Sequence, residues 1–109
     1  MGRSLVARLV QAYQQPLAGY LWGLGFARES LEPLLVETFV TAYRERATVR
    51  ASLYAIATRL ALRQGVPEDR CLLLLCCLEG FTYVQAAEMF GLSAAAVRTR
   101  VRRAKSRLA

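Results

Sequence analysis

The sequence predicts an all-α protein, and three observations support this fold class. Alanine, leucine and arginine dominate the 109 residues. Apolar residues recur at i, i+3 and i+4, while the alternation typical of strands is absent. Glycine and proline divide these periodic segments. We therefore expect an N-terminal lobe of three to four helices over residues 1–65 and a C-terminal helix-turn-helix lobe over residues 66–109.

The first predicted element is a helix in two parts. Residues 4–14 carry apolar side chains on one face, as an amphipathic helix does. Pro16 then begins a second part that ends near Leu24, because proline is common at the first position of a helix.

Two further helices complete the predicted N-terminal lobe. Ser30 can cap the second helix through its hydroxyl, Pro33 is tolerated in the first turn, and the apolar spacing continues to Tyr43. The third helix spans residues 49–63. Its predicted inward positions are Leu53, Ile56, Ala57 and Leu60.

The C-terminal lobe follows a short break at residues 64–67, where Gly65 stops one helix and a proline precedes the next. Residues 68–78 form a helix whose second half is apolar on every side, which predicts burial on several sides. The next segment fits a helix-turn-helix. Thr82 and Ser93 can cap its two helices, and Gly91 permits the sharp turn.

Positive charge is concentrated near the end of the chain. The formal net charge is +7, and the segment from Arg98 to Arg107 contains six basic residues and no acid. Duplex DNA is therefore the first partner to consider. The spacing of Val97 and Val101 turns them inward and leaves a basic face outward. The predicted DNA-binding residues are Thr82, Ser93, Ala95, Arg98, Thr99, Arg102, Arg103 and Lys105.

The sequence also indicates which functions to set aside. Cys71, Cys76 and Cys77 point in different directions on a helix and histidine is absent, so we expect no metal site and no cofactor. We interpret the cysteines as small buried residues, with a redox-sensing thiol as the alternative. No glycine-rich phosphate loop or carboxylate pair indicates an enzyme. Without a secretory signal or an apolar run near ~20 residues, we expect a cytoplasmic protein with no membrane partner.

Three segments of the C-terminal lobe occur in a recognisable order. They are Val66-Pro67 before a leucine-rich helix, the run Leu78-Glu79-Gly80-Phe81-Thr82-Tyr83, and the turn Gly91-Leu92-Ser93. Together they resemble the promoter-binding C-terminal domain of extracytoplasmic-function sigma factors. This lobe alone is also similar to a response-regulator-type helix-turn-helix. The N-terminal lobe distinguishes the sigma-factor resemblance from the response-regulator resemblance. Residues 13–17, 30–44 and 50–62 are similar, in order, to the second conserved region of the sigma family.

The resemblance implies a shortened sigma-like protein, with a region 2-like lobe and a region 4-like lobe, that acts with bacterial RNA polymerase core at promoters. In the family, the helix matching residues 31–44 docks on polymerase, and the helix matching residues 49–63 helps to melt the promoter. The polymerase- or partner-binding residues implied are Leu35, Glu37, Phe39, Val40 and Arg44. The promoter-melting residues implied are Arg50, Tyr54 and Arg59.

The chain departs from the family at Pro33, Val36 and Ser52, and a short connection replaces the extended linker between the two lobes. Three or four residues reach roughly 10–14 Å, whereas two promoter elements about seventeen base pairs apart lie roughly 58 Å from each other. A second function therefore stays open. The chain would then be a sigma mimic or interaction protein that binds an anti-sigma factor or polymerase, with little DNA binding of its own. A homodimer is a further candidate assembly.

Overall fold

The computed structural model describes residues 3–108, and this part of the chain forms six helices and no strand. The helices are α1 (Arg3–Gly23), α2 (Arg28–Glu45), α3 (Arg50–Arg63), α4 (Glu68–Cys77), α5 (Tyr83–Phe90) and α6 (Ala94–Leu108). The predicted all-α fold class is confirmed. Residues 1, 2 and 109 belong to the two predicted lobes but lie outside the described residues. Within the described range, none of the helices has the length and apolar character that crossing a membrane requires.

The chain divides into two compact units, with the boundary between Gln64 and Gly65. Helices α1, α2 and α3 pack together in the first unit, and α4, α5 and α6 pack together in the second. The boundary lies one residue from the predicted position. Gly65 has a φ of 94°, a left-handed conformation that glycine adopts without steric cost.

Helix α1 is continuous through Pro16, so the predicted two-part element is wrong. Pro16 removes one backbone donor, but it lies on the exposed side of the helix. Leu9 before the proline and Leu17 and Leu21 after it are all buried. The apolar face therefore continues across the proline, and its packing against α2 and α3 holds the helix together.

Helix α2 begins two residues before the predicted cap, so the capping role expected of Ser30 is wrong. The N-cap is Ala27, which makes no side-chain cap hydrogen bond, and the backbone N–H of Ser30 donates to the Ala27 carbonyl at 2.9 Å. The negative charge of Glu29 in the first turn interacts favourably with the helix dipole. Pro33 consequently lies inside the helix, where its ring is exposed.

The core of the first unit is built around α3. The four predicted inward positions are confirmed as buried: Leu53, Ile56, Ala57 and Leu60. Tyr20 and Tyr54 also pack there, with ring centroids 5.2 Å apart. The hydroxyls of Tyr20 and Thr58 share a buried hydrogen bond of 2.7 Å, which satisfies both polar groups in the core.

The core of the second unit is a cluster of five buried residues contributed by all three of its helices: Leu72, Ala86, Ala87, Val97 and Val101. Helix α4 buries Cys71, Leu74 and Leu75 in addition. It ends at Cys77, and both Cys77 and Leu78 are exposed. The expectation that residues 68–78 are buried on several sides is therefore wrong for the last two of them, because α5 and α6 leave Cys77 and Leu78 uncovered.

Candidate nucleic-acid interface

The start of α5 is fixed by a reciprocal pair of hydrogen bonds. The Thr82 Oγ1 atom accepts from the backbone N–H of Gln85 at 3.1 Å, and the Gln85 Oε1 atom accepts from the backbone N–H of Thr82 at 2.9 Å. The predicted capping role of Thr82 is confirmed. The part played by Gln85 was not predicted, although the Thr-x-x-Gln spacing is a capping-box signal in the sequence.

The turn between α5 and α6 depends on Gly91 and Ser93. Gly91 has a φ of 66°, and its N–H donates to the Ala87 carbonyl, which ends α5. The Oγ atom of Ser93 accepts from the backbone N–H of Ala96 at 3.1 Å, so its predicted capping role is also confirmed. Leu92, between the two, packs against the core cluster. These contacts set the direction in which α6 leaves the turn.

Helix α6 has one buried face and one exposed face. Val97, Val101 and Ala104 are buried. All eight predicted DNA-binding residues, on α6 and at the two caps, are exposed. Leu108, the last residue of α6, is 75% exposed. The exposed face of α6 is therefore available to a ligand along its whole length.

Two of the six basic residues of α6 are neutralised within the second unit. The Arg100 guanidinium donates to the Glu68 carboxylate at 2.8 Å, and the Arg107 guanidinium lies 3.6 Å from the Asp69 carboxylate. Both acids belong to the first turn of α4. Such half-exposed pairs contribute at most about 1 kcal/mol each to stability. Their main consequence is electrostatic, because they remove two cations from the charge offered to a ligand.

The other four cations form no ion pair in the part of the chain that the structure describes. We call these four residues the basic face of α6: Arg98, Arg102, Arg103 and Lys105. Arg98 and Arg102 are one turn apart, and the alanines of residues 94–96 precede them. A helix with so narrow a start fits a major groove about 12 Å wide, and arginines at this position reach base edges or phosphates.

Thr99 is exposed on the same helix, but its hydroxyl is already used. Its Oγ1 atom donates to the Ala95 carbonyl at 3.0 Å, as threonine often does one turn back along a helix. A DNA contact through Thr99 would therefore use the methyl group or the lone pairs of the oxygen. The sequence could not show this choice of side-chain rotamer.

The predicted partner-binding residues lie on α2, and the structure brings three of the five together. Leu35, Phe39 and Val40 line an apolar groove of about 530 Å³ between α1 and α2, while Glu37 and Arg44 lie outside it. Val36 also lines the groove and was not predicted as a site residue. It is 56% exposed and Val40 is 42% exposed, and their i, i+4 spacing was the available signal.

The three predicted promoter-melting residues are all engaged within the first unit. Tyr54 is 0% exposed, so its side chain lies in the core of the first unit rather than at its surface. The Arg50 guanidinium lies 4.8 Å from the centroid of the Tyr54 ring, a cation–π contact. The Arg59 guanidinium donates to the Glu45 carboxylate at 2.8 Å at the surface. The burial of Tyr54 follows from the position of α3, which packs against both α1 and α2.

The three cysteines have three different environments. Cys71 is buried, Cys76 is half-buried and Cys77 is exposed, so the interpretation of all three as buried residues is wrong for Cys77. Across residues 3–108, no group of three or more histidine, cysteine or acidic side chains is placed to hold a metal ion.

Comparison with known protein families finds a match in the second unit. Residues 67–108 match the family described as Sigma-70, region 4. This range contains α4, α5 and α6 together with all eight predicted DNA-binding residues. No curated protein and no solved structure matches the chain. The second unit is thus similar to a sigma region 4 domain, the part of a sigma factor that binds promoter DNA and RNA polymerase core.

Proposed function

We propose that this chain is a sigma-factor-like transcription protein that binds duplex DNA at promoters through α6 and acts with bacterial RNA polymerase. The observation that carries the proposal is the basic face of α6, presented by the second helix of a helix-turn-helix in the unit that matches sigma region 4. On this proposal the protein has no catalytic role of its own and acts in the cytoplasm, where its DNA and polymerase are found.

The charge distribution of the second unit supports this function. Glu68 and Asp69 neutralise the flank of α6 that faces α4, so the remaining positive charge lies on the exposed side. Each phosphate that an arginine or lysine neutralises releases condensed counterions, and this release drives binding to duplex DNA. Arg98 and Arg102 follow the narrow start of the helix, where a bidentate contact with guanine gives base discrimination. We assign Arg103 and Lys105 to phosphates.

The first unit gives narrower support to a role with polymerase. The order of its segments is similar to sigma region 2, and its groove between α1 and α2 includes three of the five residues expected at a polymerase contact. Tyr54, which the resemblance implies for promoter melting, is buried in the core of the first unit. We therefore propose that the chain is a shortened relative of extracytoplasmic-function sigma factors that contacts polymerase through α2 and does not melt DNA through Tyr54.

The arginines of the basic face provide the test of DNA binding. Arg98→Ala and Arg102→Ala should each weaken binding without unfolding the protein, because both side chains are exposed. An arginine that reads a base should cost about 1–3 kcal/mol and relax sequence preference. One that contacts a phosphate should lower affinity evenly and reduce the salt slope by about one. Fluorescence anisotropy with a duplex selected from a random library, and with a scrambled duplex, separates these two roles.

Arg107→Ala is the matched control for this experiment. It removes the same charge from the same helix, but the side chain is directed to Asp69 rather than to the basic face. We expect its effect on DNA affinity to be smaller than that of either test variant. Equal effects of all three substitutions would mean that only net charge matters, and the assignment of α6 as a recognition helix would be wrong.

A second candidate function is favoured by the apolar groove of the first unit. Val36 and Val40 are exposed apolar side chains beside a concave surface, which is typical of a docking site for another protein. On this alternative the chain is an interaction protein that occupies polymerase core or an anti-sigma factor. DNA binding by α6 would then be weak.

A further inference from the structure

An open pocket of about 550 Å³ lies in the second unit, between the end of α4, the start of α5 and the second half of α6. Its lining residues are Cys76, Cys77, Phe81, Thr82, Tyr83 and Lys105. Two thiols and one ammonium group therefore share a single concave surface. The proposed DNA contact uses Lys105 but gives no role to the thiols, and a pocket of this size accommodates a small molecule.

The two thiols of the pocket differ in how accessible they are to a reagent. Burial raises the pKa of the Cys76 thiol, the adjacent Cys77 adds to this increase, and Lys105 opposes it. Cys76 is therefore mainly protonated and half-covered near neutral pH. Cys77 is exposed, so a reagent that enters the pocket reaches its sulfur first.

The geometry of α4 prevents Cys77 from forming a disulfide within the helix. The Cα atoms of adjacent residues are about 3.8 Å apart across a trans peptide, whereas disulfides need about 4.4–6.8 Å. Cys71 is six residues earlier on the same helix, which is a rise of roughly 9 Å, and it is fully buried. A disulfide at Cys77 therefore requires a sulfur atom from outside α4.

We propose that Cys77 is a site of S-thiolation by small anionic disulfides, and that the pocket holds the adduct with its negative group beside Lys105. The Cys77 thiolate attacks one sulfur of a disulfide R–S–S–R. A Cys77–S–S–R bond forms while the S–S bond of the reagent breaks. The departing thiolate RS⁻ takes the electron pair and then the proton that Cys77 gave up. The disulfide itself is the oxidant, and an excess of small thiol reverses the reaction.

The consequence for DNA binding rests on the proposed function of α6. Lys105 is one of the four cations of the basic face, and an anionic group beside it cancels its charge. Thiolation should therefore weaken binding to duplex DNA and reduce the salt slope by about one phosphate contact.

The site is tested with two methanethiosulfonate reagents of similar size, one with an anionic sulfonatoethyl group and one with a cationic trimethylammonioethyl group. Both transfer their thioalkyl group to a cysteine, and mass spectrometry of peptides follows the rate at each thiol. We expect reaction first at Cys77. At low salt, one charge about 7 Å away in water changes the rate for a charged reagent about threefold. Lys105→Met should lower the anionic rate and raise the cationic rate by this factor, so the ratio of the two rates should fall about sevenfold.

Arg103→Met is the matched control, because it removes the same charge from the exposed side of α6 outside the pocket. It should leave the ratio of the two rates nearly unchanged. Faster modification of Cys71 or Cys76 would overturn the proposal. An equal change of the ratio in the Lys105 and Arg103 variants would also overturn it.

A second measurement tests the consequence for DNA separately. The anionic adduct should weaken DNA binding of the full chain, the cationic adduct should not, and Cys77→Ser should be insensitive to both reagents. If the unmodified chain shows no salt-dependent DNA binding, the proposed function fails while the reaction rates still decide the thiol site. If the unmodified chain binds DNA and the anionic adduct does not change the affinity, the proposed effect of Cys77 thiolation on DNA binding is wrong.

Discussion

Leu72→Ala is expected to destabilise the second unit by about 2–5 kcal/mol, because truncating a buried leucine removes packing and leaves a cavity. Leu72 is 0% exposed and contacts the core cluster formed by α5 and α6. A unit of this size buries little apolar surface, so such a loss approaches its whole stability. The variant should lose the helical signal of α4, α5 and α6 on mild heating, and it should lose DNA binding at the same temperature.

Leu78→Ala is the matched control, since it is the same substitution at the residue that follows α4. Leu78 is 73% exposed, so its truncation should change stability by less than about 0.5 kcal/mol. Thermal unfolding followed by circular dichroism, with hydrogen exchange to locate the affected helices, makes the comparison. Equal melting temperatures for the two variants would contradict the described core.

The double substitution Val36→Glu and Val40→Glu should strongly weaken binding to purified RNA polymerase core if the groove between α1 and α2 is the docking surface. Both side chains are exposed in the free chain, so the fold should tolerate the change. In a complex, two carboxylates would be removed from water without partners, at a cost of about 2–4 kcal/mol or more. This corresponds to a loss of roughly 30-fold to 1000-fold in affinity.

Val49→Glu provides the control for this experiment, because Val49 is also exposed but lies outside the groove, at the N-cap of α3. It should bind polymerase core almost as well as the natural chain. The double groove variant should also keep its DNA affinity, since α6 is unchanged. Unaltered polymerase binding by the double variant would exclude the groove as the contact surface.

Features that depend on neighbouring residues could be predicted from the sequence. The caps at Thr82 and Ser93 could be predicted because each side-chain oxygen accepts a hydrogen bond from the backbone N–H three residues later. The buried faces of α3 and α6 follow from the spacing of apolar residues. Pro16 was misread because tertiary packing overrides the preference of proline for a helix start.

Features that depend on how the helices pack could not be predicted in the same way. Arg100 meets Glu68 across 32 residues of sequence, so the division of charge on α6 becomes visible only when α4 and α6 are packed together. Tyr54 is buried because α3 contacts both α1 and α2. The buried face of α3 is therefore wider than the four inward positions that the sequence predicts. The promoter-melting role that the resemblance implies for Tyr54 carries no information on this burial.

The salt dependence of duplex DNA binding by the natural chain tests the central claim most directly. The logarithm of the association constant should fall linearly as the logarithm of the salt concentration rises. If all four cations of the basic face contact phosphates, the slope should be about −3.6. The slope should be near −2 if Arg98 and Arg102 read bases. For the steeper slope, affinity should fall about 100-fold between 50 and 200 mM salt. An affinity that is the same at both concentrations would contradict DNA binding through the basic face of α6.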